Sequence, residues 1–171
     1  MGTNFYLNIK NKDFAEKYFH GEYEVCDSRY PFKYEIHIGK QSIGWKSLYQ
    51  GHKTAYNSVE EMMSFVREHY LKEVKIYDEY GLELNPEELK RELIDLDKLP
   101  VKRYMKYVPE GVLKNEKYGW KDYFVEGTKD DYDITIPYDY VEYFKLNTHE
   151  KFPPKYYHDK DGYNFFDGDF C

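Results

Sequence analysis

The chain has 171 residues, a formal net charge of −7 and 41% hydrophobic residues. That length suits one domain and buries enough surface for a core that needs neither disulfide nor metal. The acidic balance argues against broad binding to a phosphate backbone, so direct nucleic-acid binding is not expected. No stretch approaches the ~20 apolar residues that span a bilayer, so no membrane association is expected. The two cysteines, Cys26 and Cys171, are far apart and form no disulfide framework. The start Met1-Gly2-Thr3-Asn4-Phe5-Tyr6 lacks the basic and apolar regions of a signal peptide. Tyr6 stands where a myristoylation start needs Ser or Thr. A cytoplasmic location is the expectation.

In chain order, Phe5, Leu7 and Ile9 alternate with Asn4, Tyr6 and Asn8, which predicts a strand. Asp13 to Phe19 predicts a short helix, and Gly21 to Pro31 a connector. Tyr34, Ile36 and Ile38 alternate with Glu35 and His37 in a second strand. The glycines of Gly39-Lys40-Gln41-Ser42-Ile43-Gly44 predict a turn, and Trp45 to Tyr49 a returning strand, giving a hairpin over 34–49. Ser58 and Glu61 form a capping-box pattern before Val59, Met62, Met63, Val66 and Tyr70, which share one helical face. Val74 and Ile76 predict a short strand, Asp78-Glu79-Tyr80-Gly81 a turn, and Leu82 to Leu84 a continuation. Asn85, Pro86, Glu87 and Glu88 open a further helix with Leu89, Leu93 and Leu96 inward, ended at the latest by Pro100.

The last third is less regular. Tyr123 to Val125 and Ile134 to Ile136 predict strands around a loop at Gly127 and Asp130-Asp131. Tyr138 to Leu146 reads as a short helix or an irregular aromatic segment. Pro153-Pro154 breaks the chain, and Asp161 to Phe166 reads as a turn and a strand. The section from about 130 to the end carries ten acidic and four basic residues, and 12 of its residues are Phe or Tyr.

Three chemistries compete. The 39–44 turn, with Lys40 and Ser42 beside His37 and Trp45, has the composition of a small anion cradle such as a nucleotide site. Its glycine spacing is not that of a P-loop. His158, Asp159, Asp161, Asp167 and Asp169 supply donors for a metal-dependent hydrolase, although the six histidines have no zinc spacing. Cys26 has no context marking a thiolate, and Ser42 lies in no nucleophile elbow, so no catalytic residue and no cofactor is assigned. The third chemistry is partner binding. Asp161, Tyr163, Asp167 and Asp169 place carboxylates on an aromatic surface, suited to a basic groove of another protein.

Four segments carry a resemblance. They are Met1-Gly2-Thr3-Asn4-Phe5-Tyr6-Leu7, the stretch Ile36-His37-Ile38-Gly39-Lys40-Gln41-Ser42-Ile43-Gly44-Trp45, the turn Asp78-Glu79-Tyr80-Gly81, and the end Asp161-Gly162-Tyr163 with Gly168-Asp169-Phe170-Cys171. Together they resemble a family of uncharacterised phage and prophage proteins that begin Gly-Thr-Asn-Tyr-Tyr and share a His-Ile-Gly-Lys-Ser-Ser-x-Gly-Trp segment. Many relatives carry a Cys-x-x-Cys pair before that segment. Here only Cys26 lies in that region, so no zinc site is carried over. Gln41 and Ile43 replace the commoner small residues. The resemblance implies a phage-encoded protein in the host cell but no activity.

The expected fold is one α+β domain, a mostly antiparallel sheet packed by two or three helices and closed by an irregular aromatic C-terminal section. The leading functional expectation is a non-enzymatic inhibitor or modulator of a host protein, such as a defence factor. The alternatives are the small anionic ligand and the metal-dependent hydrolase.

Overall fold

The alternation at the N-terminus forms β1 (Gly2–Ile9), which buries Phe5, Leu7 and Ile9 completely. In the computed structural model the described residues are 2–26, 30–42, 44–95, 97, 101–102, 105–108, 124–126, 137–147 and 155–168. The expected strand at Ile134 to Ile136, the Gly127 loop, the prolines at 153–154, Leu96 and Pro100 lie outside them. Helix α1 (Lys12–Phe19) is capped by Asn11, whose side chain accepts the Asp13 N–H at 2.8 Å. The predicted connector holds a two-residue strand, β2 (Glu24–Val25).

β3 (Tyr34–Ser42) runs antiparallel to β1 along one edge. On its other edge it pairs with β2 and with β4 (Leu48–Gln50). Helix α2 (Val59–His69) begins at Ser58, whose side chain accepts the Glu61 N–H at 3.1 Å. Glu61 reaches back to the Asn57 N–H at 2.8 Å, one residue beyond the expected partner. Its inner face buries Val59, Met62, Met63 and Val66 as the periodicity predicts, and also Phe65. β5 (Val74–Asp78) and β6 (Glu83–Leu84) form a hairpin. Asp78 organises its turn by accepting the Tyr80 and Leu82 N–H groups.

The helix predicted after Asn85 is α only as α3 (Pro86–Leu89), with a complete Asn85–Glu88 capping box. It then widens into a π-helical segment, Lys90–Asp95. The segment buries Glu92, Leu93 and Ile94 in succession. β7 (Val101–Lys102), β8 (Met105–Val108) and β9 (Phe124–Glu126) form a separate three-stranded sheet, in which β8 and β9 are parallel. The segment from Tyr138 is helical, as α4 (Tyr140–Asn147). β10 (Tyr156–His158) and β11 (Asn164–Phe166) make a final hairpin, and β11 adds to β4 in parallel.

The main sheet therefore has eight strands, ordered β10-β11-β4-β3-β1-β5-β6 with β2 on β3, and all its pairings but β4–β11 are antiparallel. This is the expected α+β class. Core residues of α1, α2, α3 and the π segment join Phe5, Leu7, Ile36, Ile38, Tyr49 and Ile76 in one apolar cluster, so those helices share one face of the sheet. Strand alternation sends Tyr6, His37, Gln50, Tyr156 and Phe166 to the other face. There Tyr156 stacks on Phe144 of α4 with ring centroids 4.6 Å apart. Among the described residues, no helix is long and apolar enough to cross a membrane.

Gly39 is a strand residue, not the start of a turn. The β1–β3 register slips between Phe5 and Tyr6, which pair with Gly39 and His37 and leave Ile38 as the extra residue of a bulge. The bulge turns Gly39 toward the helices, where an added Cβ would lie 3.1 Å from Leu93 Cδ2 and 3.2 Å from the Leu48 carbonyl oxygen. Substitution Gly39→Val is therefore expected to destabilise the fold by about 1–3 kcal/mol, read as a lower midpoint in urea.

Glu92 supplies a second test. Its side chain is buried, Oε1 accepts from Arg91 at 3.2 Å, and Oε2 has no hydrogen-bond partner. Burial outweighs the pull of Arg91 and pushes its pKa up to about 7. The folded state thus holds a proton that the unfolded chain releases near the ordinary carboxyl value. The stability tied to that proton is full below the unfolded pKa and is lost as pH rises toward 7. Glu92→Gln is expected to raise stability by up to about 3 kcal/mol at pH 8 and to leave it nearly unchanged at pH 4. Urea melts at the two pH values measure the difference.

Candidate functional site

The residues expected to cradle an anion are placed by β3 and the segment that follows it. Gly39 and Lys40 pair with Phe5 and Asn4 on one side and with Tyr49 and Leu48 on the other. Gln41 and Ser42 pair with Thr3 and Gly2. The main chain here is committed to ladders, so the N–H groups of residues 39 and 40 do not line an open nest. The turn itself is short and centres on Gly44, whose φ of 85° is left-handed.

His37 lies on the outer face among polar neighbours. Its Nδ1 is 2.7 Å from Gln50 Oε1 and its Nε2 is 2.9 Å from Asn4 Oδ1. Burial, opposed by the Gln50 contact, lowers its pKa below the ordinary histidine value. A neutral imidazole donates from only one nitrogen, so it donates to only one of these two amide oxygens. The ring is thereby filled by the chain's own amides. Beneath it, His52 Nε2 meets the His37 carbonyl at 2.8 Å and His52 Nδ1 meets Glu22 at 3.1 Å.

Trp45 and Ser42 come together elsewhere, with residues of α4 that the sequence did not single out. The chain at Trp45 bridges to Tyr138: the Tyr138 N–H donates to the Gly44 carbonyl and the Lys46 N–H to the Tyr138 carbonyl, both at 2.9 Å. The Trp45 ring packs on Tyr140 at 4.6 Å, Tyr143 at 5.0 Å and Tyr138 at 5.1 Å between centroids. The stack continues through Phe144 and Tyr156 to Phe166. Tyr138 is 57% exposed and Tyr143 37% exposed, so this surface offers wide aromatic faces to solvent.

A charged group anchors that surface. Asp139 accepts the Glu142 N–H at 3.0 Å as the cap of α4. It also holds His158 Nε2 at 3.0 Å and Lys46 Nζ at 3.8 Å. Burial pushes the Asp139 carboxyl up, but the Glu142 N–H, His158 and Lys46 outweigh it and hold its pKa below the ordinary value. Asp139 therefore ties the tip of β10, the start of α4 and Lys46, next to Trp45, into one platform.

The residues expected to bind a metal or a partner near the C-terminus separate by role. Asp159 is buried and serves the main chain. Its Oδ1 accepts the Asp161 and Tyr163 N–H groups, and its Oδ2 accepts the Val59 N–H at the start of α2, each at 2.9 Å. Asp161 and Asp167 are exposed, and Asp167 lies 3.7 Å from Lys53. Tyr163 is half-buried against Tyr49 at 5.8 Å. Asp169 lies outside the described residues. Among the described residues, no three His, Cys, Asp or Glu side chains are grouped to hold a metal ion.

Cys26 is the described thiol. Its Sγ donates to Glu35 Oε2 at 3.2 Å. Burial, joined by that carboxylate, pushes its pKa up to about 12, so it remains a thiol at neutral pH and a weak nucleophile.

The role of Asp159 is testable. Asp159→Ala removes the turn acceptor and a cap of α2 together, and is expected to cost about 2–3 kcal/mol and to lower the thermal midpoint. Asp161→Ala, at an exposed neighbour, is expected to stay within about 0.5 kcal/mol.

No family model matches the chain, no curated protein matches it, and no solved structure matches it.

Proposed function

We propose that this protein works by binding, as a small phage-type inhibitor or modulator of a host protein, and that the Trp45 platform is its contact surface. The observation that supports this most is the exposure of Tyr138 and Tyr143 beside Trp45. Tyr and Trp are the side chains that most often anchor protein interfaces, because a large rigid apolar face carries a polar handle. The platform is held by regular backbone pairing and by the Asp139 cluster, so little order need be gained on binding. The phage origin rests on the sequence resemblance alone.

The position of β3 weighs against the anionic-ligand reading, because the backbone at Gly39 and Lys40 is already paired on both sides. The thiol character of Cys26 and the main-chain duty of Asp159 weigh against an enzyme built on either residue.

Affinity capture from host lysate tests the proposal. The wild-type chain is expected to retain a defined host protein, and the double variant Tyr138→Ala and Tyr143→Ala to lose at least about tenfold of it, as removal of interface anchors does. Equal capture by both would move the contact away from the platform. Capture of nothing above a control protein would remove the reading.

A further inference from the structure

A second feature lies on the helical face of the sheet. Phe14 and Tyr18 are one turn apart on α1, and Phe65 and His69 are one turn apart on α2. The four rings pack against one another with centroids 4.7–5.9 Å apart. Beside them opens a cleft of about 440 Å³, lined by the aromatic groups Tyr18, Phe65 and His69 and by Glu60, Glu61 and Glu68 of α2. That volume is within the range that holds a small ligand or one long side chain.

The charges around the cleft are unequal. Three carboxylates line it, and Lys160 is the lysine among the lining residues. Lys160, carried on the β10–β11 turn, pairs with Glu60. Glu61 accepts the Asn57 N–H. Glu68 is 75% exposed, and His69 approaches it at 3.9 Å. The aromatic side also attracts cations, since Lys17 Nζ already lies 5.0 Å from the centre of the Tyr18 ring.

From this combination we infer that the α1–α2 cleft binds an organic cation, an alkylammonium or guanidinium group. Aromatic faces attract such weakly hydrated cations, and carboxylates add a Coulombic hold. An anion is repelled by the glutamates, and a neutral apolar ligand gains nothing from them. Lys17, over the Tyr18 ring, and Lys160, an ammonium carried by the turn that Asp159 fixes, are then the internal competitors. The cation comes either from a free polyamine or from a lysine or arginine of a basic protein segment. This inference is independent of the Trp45 platform.

Calorimetric titration of the full chain with spermidine, and separately with a short arginine-rich peptide, tests it, with an uncharged diol as control. At least one cation is expected to bind saturably, and the diol not at all. Glu68→Gln and Tyr18→Leu are each expected to weaken binding about fivefold, the size of one exposed ion pair or cation–π contact. Lys160→Gln is expected to tighten it by about the same factor. Glu68 is exposed, so its variant reports on binding without disturbing the fold. Binding of spermidine alone supports a free polyamine, and binding of the peptide alone supports a protein segment. Failure of both cations to bind overturns the inference. So does binding that survives Tyr18→Leu and Glu68→Gln unchanged, because it would then be diffuse attraction to the net charge.

Discussion

β3 is paired along both edges, to β1 on one and to β2 and β4 on the other, and the bulge at Ile38 decides which of its side chains face the helices. Without the bulge, alternation would send Gly39 outward and Lys40 into the core. With it, Ile36, Ile38 and Gly39 all serve the helical side, and Lys40 returns to the polar side opposite Asn4. Gly39 is the residue that makes this possible, because Leu93 and the Leu48 carbonyl fill the space a side chain would need. The π-helical segment completes the fit. The Leu93 carbonyl accepts from Ser47 at 2.6 Å and from Tyr49 at 3.3 Å, so the wide turn is fastened to β4.

The two faces of the sheet then acquire different roles. One is sealed by α1, α2, α3 and the π segment, and its stability comes from apolar burial. The other carries polar and aromatic groups and receives α4 at the β10 end, where Trp45, Tyr140, Phe144 and Tyr156 stack. Among the described residues, several ionisable groups serve the chain itself. Asp159 caps a helix and a turn, Asp139 caps α4, His37 meets two amides, and Cys26 donates to Glu35.

The strands at Phe5, Ile36 and Ile76 and the helix after Ser58 were legible in the sequence because period and caps agree there. The Asn85 cap and Pro86 gave the start of the next helix correctly, but its widening was hidden. Nothing in Glu92-Leu93-Ile94 distinguishes a π turn from an α turn with one misplaced acid. Gly39 misled for a definite reason. Glycine serves both turns and bulges, and only the packing of Leu93 tells the two apart. The platform was half visible. Trp45 stood out, but its neighbours Tyr138, Tyr140 and Tyr143 lie some ninety residues later and meet it through a backbone bridge that no local pattern encodes. The cleft of Tyr18, Phe65 and Glu68 was illegible for the same reason, since two helices of modest periodicity build it jointly.

The backbone at 39–42 is either a ladder or an anion cradle, and the two states differ in the protection of its amides. Amide hydrogen exchange of the free chain measures this directly. Paired on both sides, the amides that Gly39 and Lys40 give to the ladders are predicted to exchange as slowly as those of Leu7 and Ile76, near the limit of global unfolding. Exchange at loop rates across 39–42, with Leu7 and Ile76 still protected, would contradict the fold given for β3 and reopen the anion cradle.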